Sequence, residues 1–499
     1  MFTATIDTLF IGAVVLSLIS QFEPRINQKI GLRNTKEVSS ILVLVISLYF
    51  LYPLYEKVSA GVLVLPWAYL PGGSCLVVDM LSIFMAFIFI SMGLLAAVYS
   101  VRYMANDTGL QFYTLLVLTI TGMVGVAFAG DFFSLFIFWE LMCLTSYVLV
   151  AYRKETWEPL EATFKYFTMS GVGVVLIVFA MSLLYGVTGS LNFAEIAKLL
   201  STASTSNPWL VLILILFIVG FGIKATIVPF HTWAPDAYAA APSPISSILS
   251  GAANKSSIYV LLRLLVLVLI FAKFHWLVIV AMLSAITMTV ANVSALMQQD
   301  IKRLLAYSSV AQIGYILVGF AAGNLYGYTG TVFYMFNEAF MKGLAFLCAG
   351  ILINQAGTRS IRGLSGYGRV LPLSSIALSI SLLSLAGVPP FSGFMCKLII
   401  FLAAFQSGMA WLALLVALNS AFSLAYYLPI ILILFQSKPA AVKRMRSPIT
   451  MLIPILFMVG LIVLFGVWPD PALNFAKEAV YDLTNRHAYI SSIISEVAK

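Results

Sequence analysis

The chain has 499 residues, of which 62% are hydrophobic and only 9% charged; a soluble domain carries about 25% charged residues, so an ordinary soluble enzyme is excluded and a polytopic, all-α membrane protein is expected. The formal net charge of +9 is explained by basic loops gathered on one side of a lipid bilayer, and nucleic acid is not expected as a partner. Cys75, Cys143, Cys348 and Cys396, like His231, His275 and His487, stand far apart without CxxC, CxxCH or paired spacing, and no GxGxxG turn or P-loop occurs, so neither a cofactor nor a metal is expected in this chain.

Windows of about 20 apolar residues predict fourteen membrane spans. Span 1, near 4–21, lacks a basic leader and a cleavage site and reads as a retained helix rather than a signal peptide. With span 2 near 39–57 and span 3 near 77–99 it makes an N-terminal unit, residues 1–110. Spans 4 to 8, near 111–129, 131–151, 163–186, 208–229 and 244–271, make a first five-helix unit, residues 111–271. Spans 9 to 13, near 276–298, 303–320, 328–353, 373–405 and 410–435, make a second, residues 276–435. Span 14, near 449–469, and a short amphipathic tail complete residues 436–499.

Two spans carry helix breakers. Span 7 runs through "GFGIKATIV" into Pro229, and span 12 contains "AGVPPFSGF" at 386–394. Proline removes a backbone donor and glycine frees the backbone. Broken helices at corresponding places in two halves point to inverted repeats around a transport site, here spans 4–8 and 9–13.

Loop charge sets the expected orientation. Odd-numbered loops hold Arg25, Lys29, Arg33, Lys36, Arg102, Arg153, Lys154, Lys302, Arg303, Arg359, Arg362, Arg369, Lys438, Lys443, Arg444 and Arg446. Even-numbered loops hold only Lys57, Lys198 and Lys273, and the tail adds Lys477, Arg486 and Lys499. This bias puts the odd loops inside and both termini outside. Lys302 and Arg303 are read as loop charges that set topology, Asp79, Asp131, Glu161 and Lys165 as helix-end residues, and Arg263 as a structural anchor.

Six ionisable residues fall near mid-span: Glu140, Lys224, Lys255, Glu338, Lys342 and Lys397. At roughly 2.5–3.5 kcal/mol each at the bilayer centre, six together cost on the order of 15–20 kcal/mol before any compensation. That exceeds the ~5–15 kcal/mol net stability of a typical domain, so these residues must pair, meet water or change protonation. Glu338 and Lys342, spaced i,i+4, share a helix face and are candidates for a mutual pair. Burial weakens a lysine's hold on its proton and a nearby carboxylate restores it. A glutamate that approaches or leaves can therefore switch a lysine between holding and releasing a proton.

The motifs "FWELM" (138–142), "GFGIKATIVPFHTWAPDAYAAAPSPIS" (220–246), "NKSSIYVLLR" (254–263), "DIKRLLAYSSVAQIGYILVG" (300–319) and "SLAGVPPFSGFMCKL" (384–398) resemble those of the antiporter-like subunits of complex I, of membrane-bound hydrogenases and deazaflavin-linked dehydrogenases, and of Mrp-type cation/proton antiporters. The resemblance covers roughly residues 75–435. It implies a proton-translocating subunit of a redox-driven complex, partnered by other membrane subunits that include homologous ones, in a prokaryotic cytoplasmic membrane. It also implies site roles: Glu140 and Lys224 as a modulating ion pair, Lys255 on a central proton axis, Lys342 between the two halves and Lys397 at the outward exit. Many relatives have His where this chain has Glu338, a departure that bears on the central relay and on the ion. N-, M- and D-type subunits stay open. The L type is excluded, because the tail is too short for its lateral helix. A D-type subunit of a Na⁺/H⁺ antiporter, Na⁺ as the moved ion, and a scaffold or quinone-site protein without transport are the competing readings.

Overall fold

A computed structural model describes residues 3–30, 35–66, 74–105, 107, 111–202, 208–268, 276–436 and 447–497. Of the charges used above for orientation, Arg33, Lys273, Lys438, Lys443, Arg444, Arg446 and Lys499 lie outside the described residues, as do 269–271 at the predicted end of span 8. The chain is mostly helical. Ten helices among the described residues are long and apolar enough to cross a membrane, or eleven if the bent pair Arg362–Val370 and Pro372–Ala386 counts as one span. Ala4–Ser20, Phe112–Phe128, Pro208–Lys224 and Ser392–Gln406 are shorter apolar helices.

Helix starts follow from capping. Asp79, Asp131, Asp300 and Asn324 each accept hydrogen bonds from backbone N–H groups of the following turn, satisfying donors that would otherwise be left unpaired in a dry environment. Asp131 also accepts from Ser134 Oγ and from the backbone N–H of Cys75 at 2.8 Å, tying a helix start to a short hairpin of Leu63–Pro66 and Cys75–Val78. Asp79 and Asp131 are thus the helix-end residues expected.

Burial sorts the helices into centre and perimeter. Ser243–Val268, Ile301–Ala321 and Leu325–Ala356 are enclosed almost throughout, whereas Thr35–Val58, Trp157–Thr188 and Ile449–Val467 are mostly uncovered. The perimeter helices turn apolar side chains outward, including Phe164, Val175 and Ile453, as lipid contact requires. Neighbouring central helices approach closely: a Cβ on Gly314 would lie 2.6 Å from the backbone nitrogen of Met288, the kind of contact that small residues permit between membrane helices.

The structure departs from the sequence reading at several points. Residues 77–79 belong to the hairpin and the cap, and the third span begins at Met80. The seventh stops at Lys224 rather than running to 229; a loop through 225–232 leads into a second short helix, Trp233–Ala240. The twelfth, by contrast, is interrupted where its breakers predicted, into Pro372–Ala386 and Ser392–Gln406, divided by Gly387 at φ 86°. An amphipathic helix at Phe193–Thr202 was not anticipated. The tail forms two helices, Asp470–Thr484 and Arg486–Val497, rather than one.

The tail is anchored from inside. Arg263 is buried and donates to both carboxylate oxygens of Asp79 at 2.8 Å, to Ser82 Oγ at 3.1 Å and to Tyr489 of the last helix at 3.4 Å. Asp482 accepts from the N–H of Met80 at 3.3 Å, and burial beside the Asp79 carboxylate pushes its carboxyl up from the ordinary value. Arg263 is therefore an anchor, as its sequence position suggested. Removing one partner of such a pair leaves an uncompensated buried charge, at about 3–5 kcal/mol. Asp79→Ala is accordingly expected to lower the melting temperature of the purified protein markedly, and combining it with Arg263→Leu to recover most of the loss.

Candidate functional site

Lys224 is the last residue of its helix and only 2% exposed. The chain turns immediately after it, through Thr226 at φ 63°, a left-handed conformation rare for a β-branched residue and worth about 1–3 kcal/mol of strain. Trp233 Nε1 donates to the carbonyl of Ile223 at 2.9 Å, so one acceptor exposed by the helix end is met. The Trp233 ring stacks on Tyr166 with centroids 4.1 Å apart. The Lys224 ammonium donates to the hydroxyl of Tyr166 and lies 3.4 Å from Ser146 Oγ. It also stands 4.6 Å from the Tyr166 ring centroid and 5.6 Å from that of Tyr147, where the ring quadrupoles attract a cation. Glu140, on Phe132–Val150, is half-buried. Its Oε1 has no hydrogen-bond partner among the described residues, and none of the ion pairs within 4 Å among them joins it to Lys224. The two groups expected to pair are neighbours held apart, with Lys224 solvated by a phenol instead.

Lys255 and Glu338 are the most enclosed. Both side chains are fully buried and form an ion pair between Nζ and Oε2. Lys255 follows a π-helical turn, Leu249–Ala253, a widening that shifts the hydrogen-bond register and often marks functional sites. Its ammonium also donates to the carbonyl of Ser250 within that turn. Glu338 thus reaches across to another helix, and the i,i+4 pairing with Lys342 is not the contact made. Lys342, also fully buried, donates to Ser308 Oγ and to the carbonyl of Leu305 at 3.2 Å.

Lys397 uses the second helix break. It donates to the carbonyl of Ala386, the last residue before the break, at 3.0 Å, and to Ser420 Oγ at 3.0 Å. Its ammonium lies 4.5 Å from the Tyr315 ring centroid. A cavity of about 330 Å³ lies beside it, lined by Gly387, Phe394, Ser420 and Leu424 among others.

Hydroxyls and amides join these stations. Ser250 Oγ and Ser309 Oγ are 2.6 Å apart, and Ser309 donates to the same Leu305 carbonyl that Lys342 reaches. Tyr334 donates to Gln312 Oε1 at 2.6 Å, and Gln312 donates to the carbonyl of Leu385, one residue from the Lys397 acceptor. Sequence reading missed Tyr166, Ser250, Ser308, Ser309 and Gln312. The signal was the density of hydroxyl and amide residues in "YSSVAQ" and "SGAANKSS", which apolar spans do not otherwise need. Lys302 is a correction. It is not a loop charge but a buried helix residue, 4% exposed, donating to the carbonyl of Ala241 at 2.5 Å. Its neighbour Arg303 stays outside and pairs with Asp236 at 2.8 Å.

Residues 129–423 match the family model described as NADH:quinone oxidoreductase/Mrp antiporter, TM. F(420)H(2) dehydrogenase subunit N of Methanosarcina mazei is 33% identical over 413 residues, covering 81% of this chain and 84% of that one. NADH-quinone oxidoreductase subunit N of Desulforamulus reducens is 34% identical over 404 residues, with 81% and 84% covered. Among solved structures, a chain of the membrane-bound sulfane sulfur reductase, an archaeal respiratory membrane complex, superposes with a TM-score of 0.89 at 27% identity, over 98% of this chain and 99% of that one.

The observed pairing has a measurable signature. In double-mutant cycles on the solubilised protein, Lys255→Met with Glu338→Gln is expected to couple by about 1.5 kcal/mol or more, and Glu338→Gln with Lys342→Met by about 0.5 kcal/mol or less. A larger coupling to Lys342 would reverse the assignment.

Proposed function

The chain belongs to the NADH:quinone oxidoreductase/Mrp antiporter family, and from that premise we propose that it is the N-type antiporter-like subunit of a redox-driven membrane complex and carries protons along its buried lysine row. One observation carries this reading. Of five buried lysines among the described residues, only Lys255 is ion-paired to a carboxylate; Lys224, Lys302, Lys342 and Lys397 face phenols, serine hydroxyls, carbonyls and aromatic rings. Neutral partners solvate an amine in either protonation state, whereas a permanent unpaired charge in so dry a place is strongly destabilising. Such lysines are suited to loading and unloading a proton.

Lys224 is the switch in this scheme. When Glu140 swings towards it, the carboxylate strengthens its hold on the proton; when Glu140 withdraws, the proton passes on. Lys255, balanced by Glu338, accepts it in the centre. Lys342 and Lys397 continue the row to the cavity beside Gly387. Electron transfer takes place in partner subunits, whose movements bias Glu140.

Fourteen spans, ten of them in two inverted five-helix repeats, fit this scheme. Support comes from the two interrupted helices, one bearing Lys224 at its break and the other bearing Lys397 just after it, and from the shorter apolar helices that complete the ten long ones. The orientation, with both termini outside a prokaryotic cytoplasmic membrane, is supported by ion pairs that gather the basic loops at one end: Arg153 with Asp107, and Arg359 with Glu158 and Asp300. The pairing of Glu338 favours H⁺ over Na⁺, because its charge is already balanced by Lys255.

Lys224→Ala in an assembled complex is expected to reduce coupled proton pumping at least tenfold without loss of assembly, and pumping by the unaltered complex to be the same with and without sodium. Normal pumping by the assembled variant would refute the lysine row, and strict sodium dependence would transfer the proposal to Na⁺.

A further inference from the structure

A second polar route enters the molecule at its arginine-rich end. Between the ends of Trp276–Leu296, Ile301–Ala321 and Ala410–Leu434 lies a crevice of about 220 Å³, room for several waters. Gln299, Arg362, Ala425 and Pro429 form its exposed rim, and Tyr426 lies buried in its floor. Pro429 sits inside a helix, so it cannot donate to the carbonyl four residues earlier. That carbonyl belongs to Ala425, on the same rim, and Pro429 offers it no N–H.

Below the floor the polar groups are continuous. The Tyr426 and Tyr427 rings lie tilted against one another with centroids 4.4 Å apart. The Tyr427 hydroxyl is hydrogen-bonded to Ser308 Oγ, and Ser308 Oγ to the Lys342 ammonium. Tyr427, Ser308 and Lys342 are all completely buried. A side branch runs from Tyr426 to Asn292 Oδ1 at 2.8 Å and from Asn292 Nδ2 to the Tyr315 hydroxyl at 3.3 Å. Of these groups only Lys342 lies on the path from Glu140 through Lys224.

We propose that this crevice is a second proton inlet, feeding Lys342 through Tyr426, Tyr427 and Ser308 by a route separate from Lys224, which still gates each cycle. The transfer is a relay. A hydronium in the crevice gives a proton to the Tyr426 oxygen while that hydroxyl's own proton passes to Tyr427. The Tyr427 proton passes to Ser308, and the Ser308 proton to the neutral amine of Lys342. Each O–H bond broken is replaced by one formed, and the hydroxyls rotate back once the lysine has discharged. Tyrosine and serine serve here because each is donor and acceptor at once.

This inference rests on the proton-translocation reading, and the experiment separates the two. In the assembled complex, Tyr427→Phe removes one relay hydroxyl and keeps the ring. It is expected to lower protons pumped per electron by at least threefold and to change the solvent deuterium isotope effect on pumping, which a packing role would leave alone. As a second arm, Ala425→Cys is treated with a bulky, membrane-impermeant thiol reagent, the native cysteines all being buried. Labelling from the arginine-rich side is expected to lower pumping relative to the unlabelled variant, and reagent on the opposite side to have no effect. Should Tyr427→Phe not assemble, the labelling arm decides. Unchanged pumping after Tyr427→Phe or after labelling, with Lys224→Ala still inactive, would overturn the second inlet alone. Normal pumping by Lys224→Ala as well would overturn the translocation reading beneath it.

Discussion

A charge taken out of water must be met by something, and among the described residues five buried ammonium groups are met by a single carboxylate in contact. The Lys255–Glu338 pair is the balanced centre. Every other lysine in the row is solvated by backbone and hydroxyl oxygens, and helix irregularities supply some of them. The π turn at Leu249–Ala253 presents the Ser250 carbonyl to Lys255, and the break after Ala386 presents a carbonyl to Lys397. The helix irregularities are therefore part of the solvent of the buried charges. In a bilayer, backbone groups released from a helix are tolerated only where protein or water meets them. Here the released group and the buried charge satisfy one another.

This explains the division between centre and perimeter. The helices bearing Lys255, Glu338 and Lys342 are enclosed on all sides, whereas helices such as Trp157–Thr188 and Ile449–Val467 cover them and face outward with apolar side chains. The covering layer keeps lipid and bulk water from the row, so that polar contacts inside are exchanged only among protein groups and the few waters that cavities admit. Buried polar networks of this kind are strong when every member is satisfied.

Much of this was legible in the chain. Apolar windows located most of the long apolar helices to within a few residues, because a helix long enough to cross leaves a composition that loops do not have. Proline and glycine marked both interruptions, since their backbone chemistry acts locally. What escaped depended on distant neighbours. The spacing of Glu338 and Lys342 correctly put them on one helix face, but a shared face does not say which other helix comes close, and Lys255 did. Lys302 and Arg303 both looked like loop charges but both lie in the first turn of Ile301–Ala321; Arg303 points outward to Asp236, whereas Lys302 turns inward to the carbonyl of Ala241. The helix at Phe193–Thr202 and the second tail helix are too short or too polar to register as spans. Tyr166 and Ser308 carried no mark of their own, hydroxyls being common in apolar helices as partners of the preceding turn.

Arg263 has a consequence for how the molecule is made. Its guanidinium reaches Asp79, 184 residues earlier, and Tyr489, 226 residues later. The first contact becomes available as soon as the eighth span enters the membrane, but the second must wait until nearly the whole chain has left the ribosome. The last helix therefore acts as a latch on synthesis. Until it docks, the Arg263 end of the helix that carries Lys255 lacks part of its anchorage, and the finished, sealed subunit is distinguishable from a nascent one at that single buried side chain.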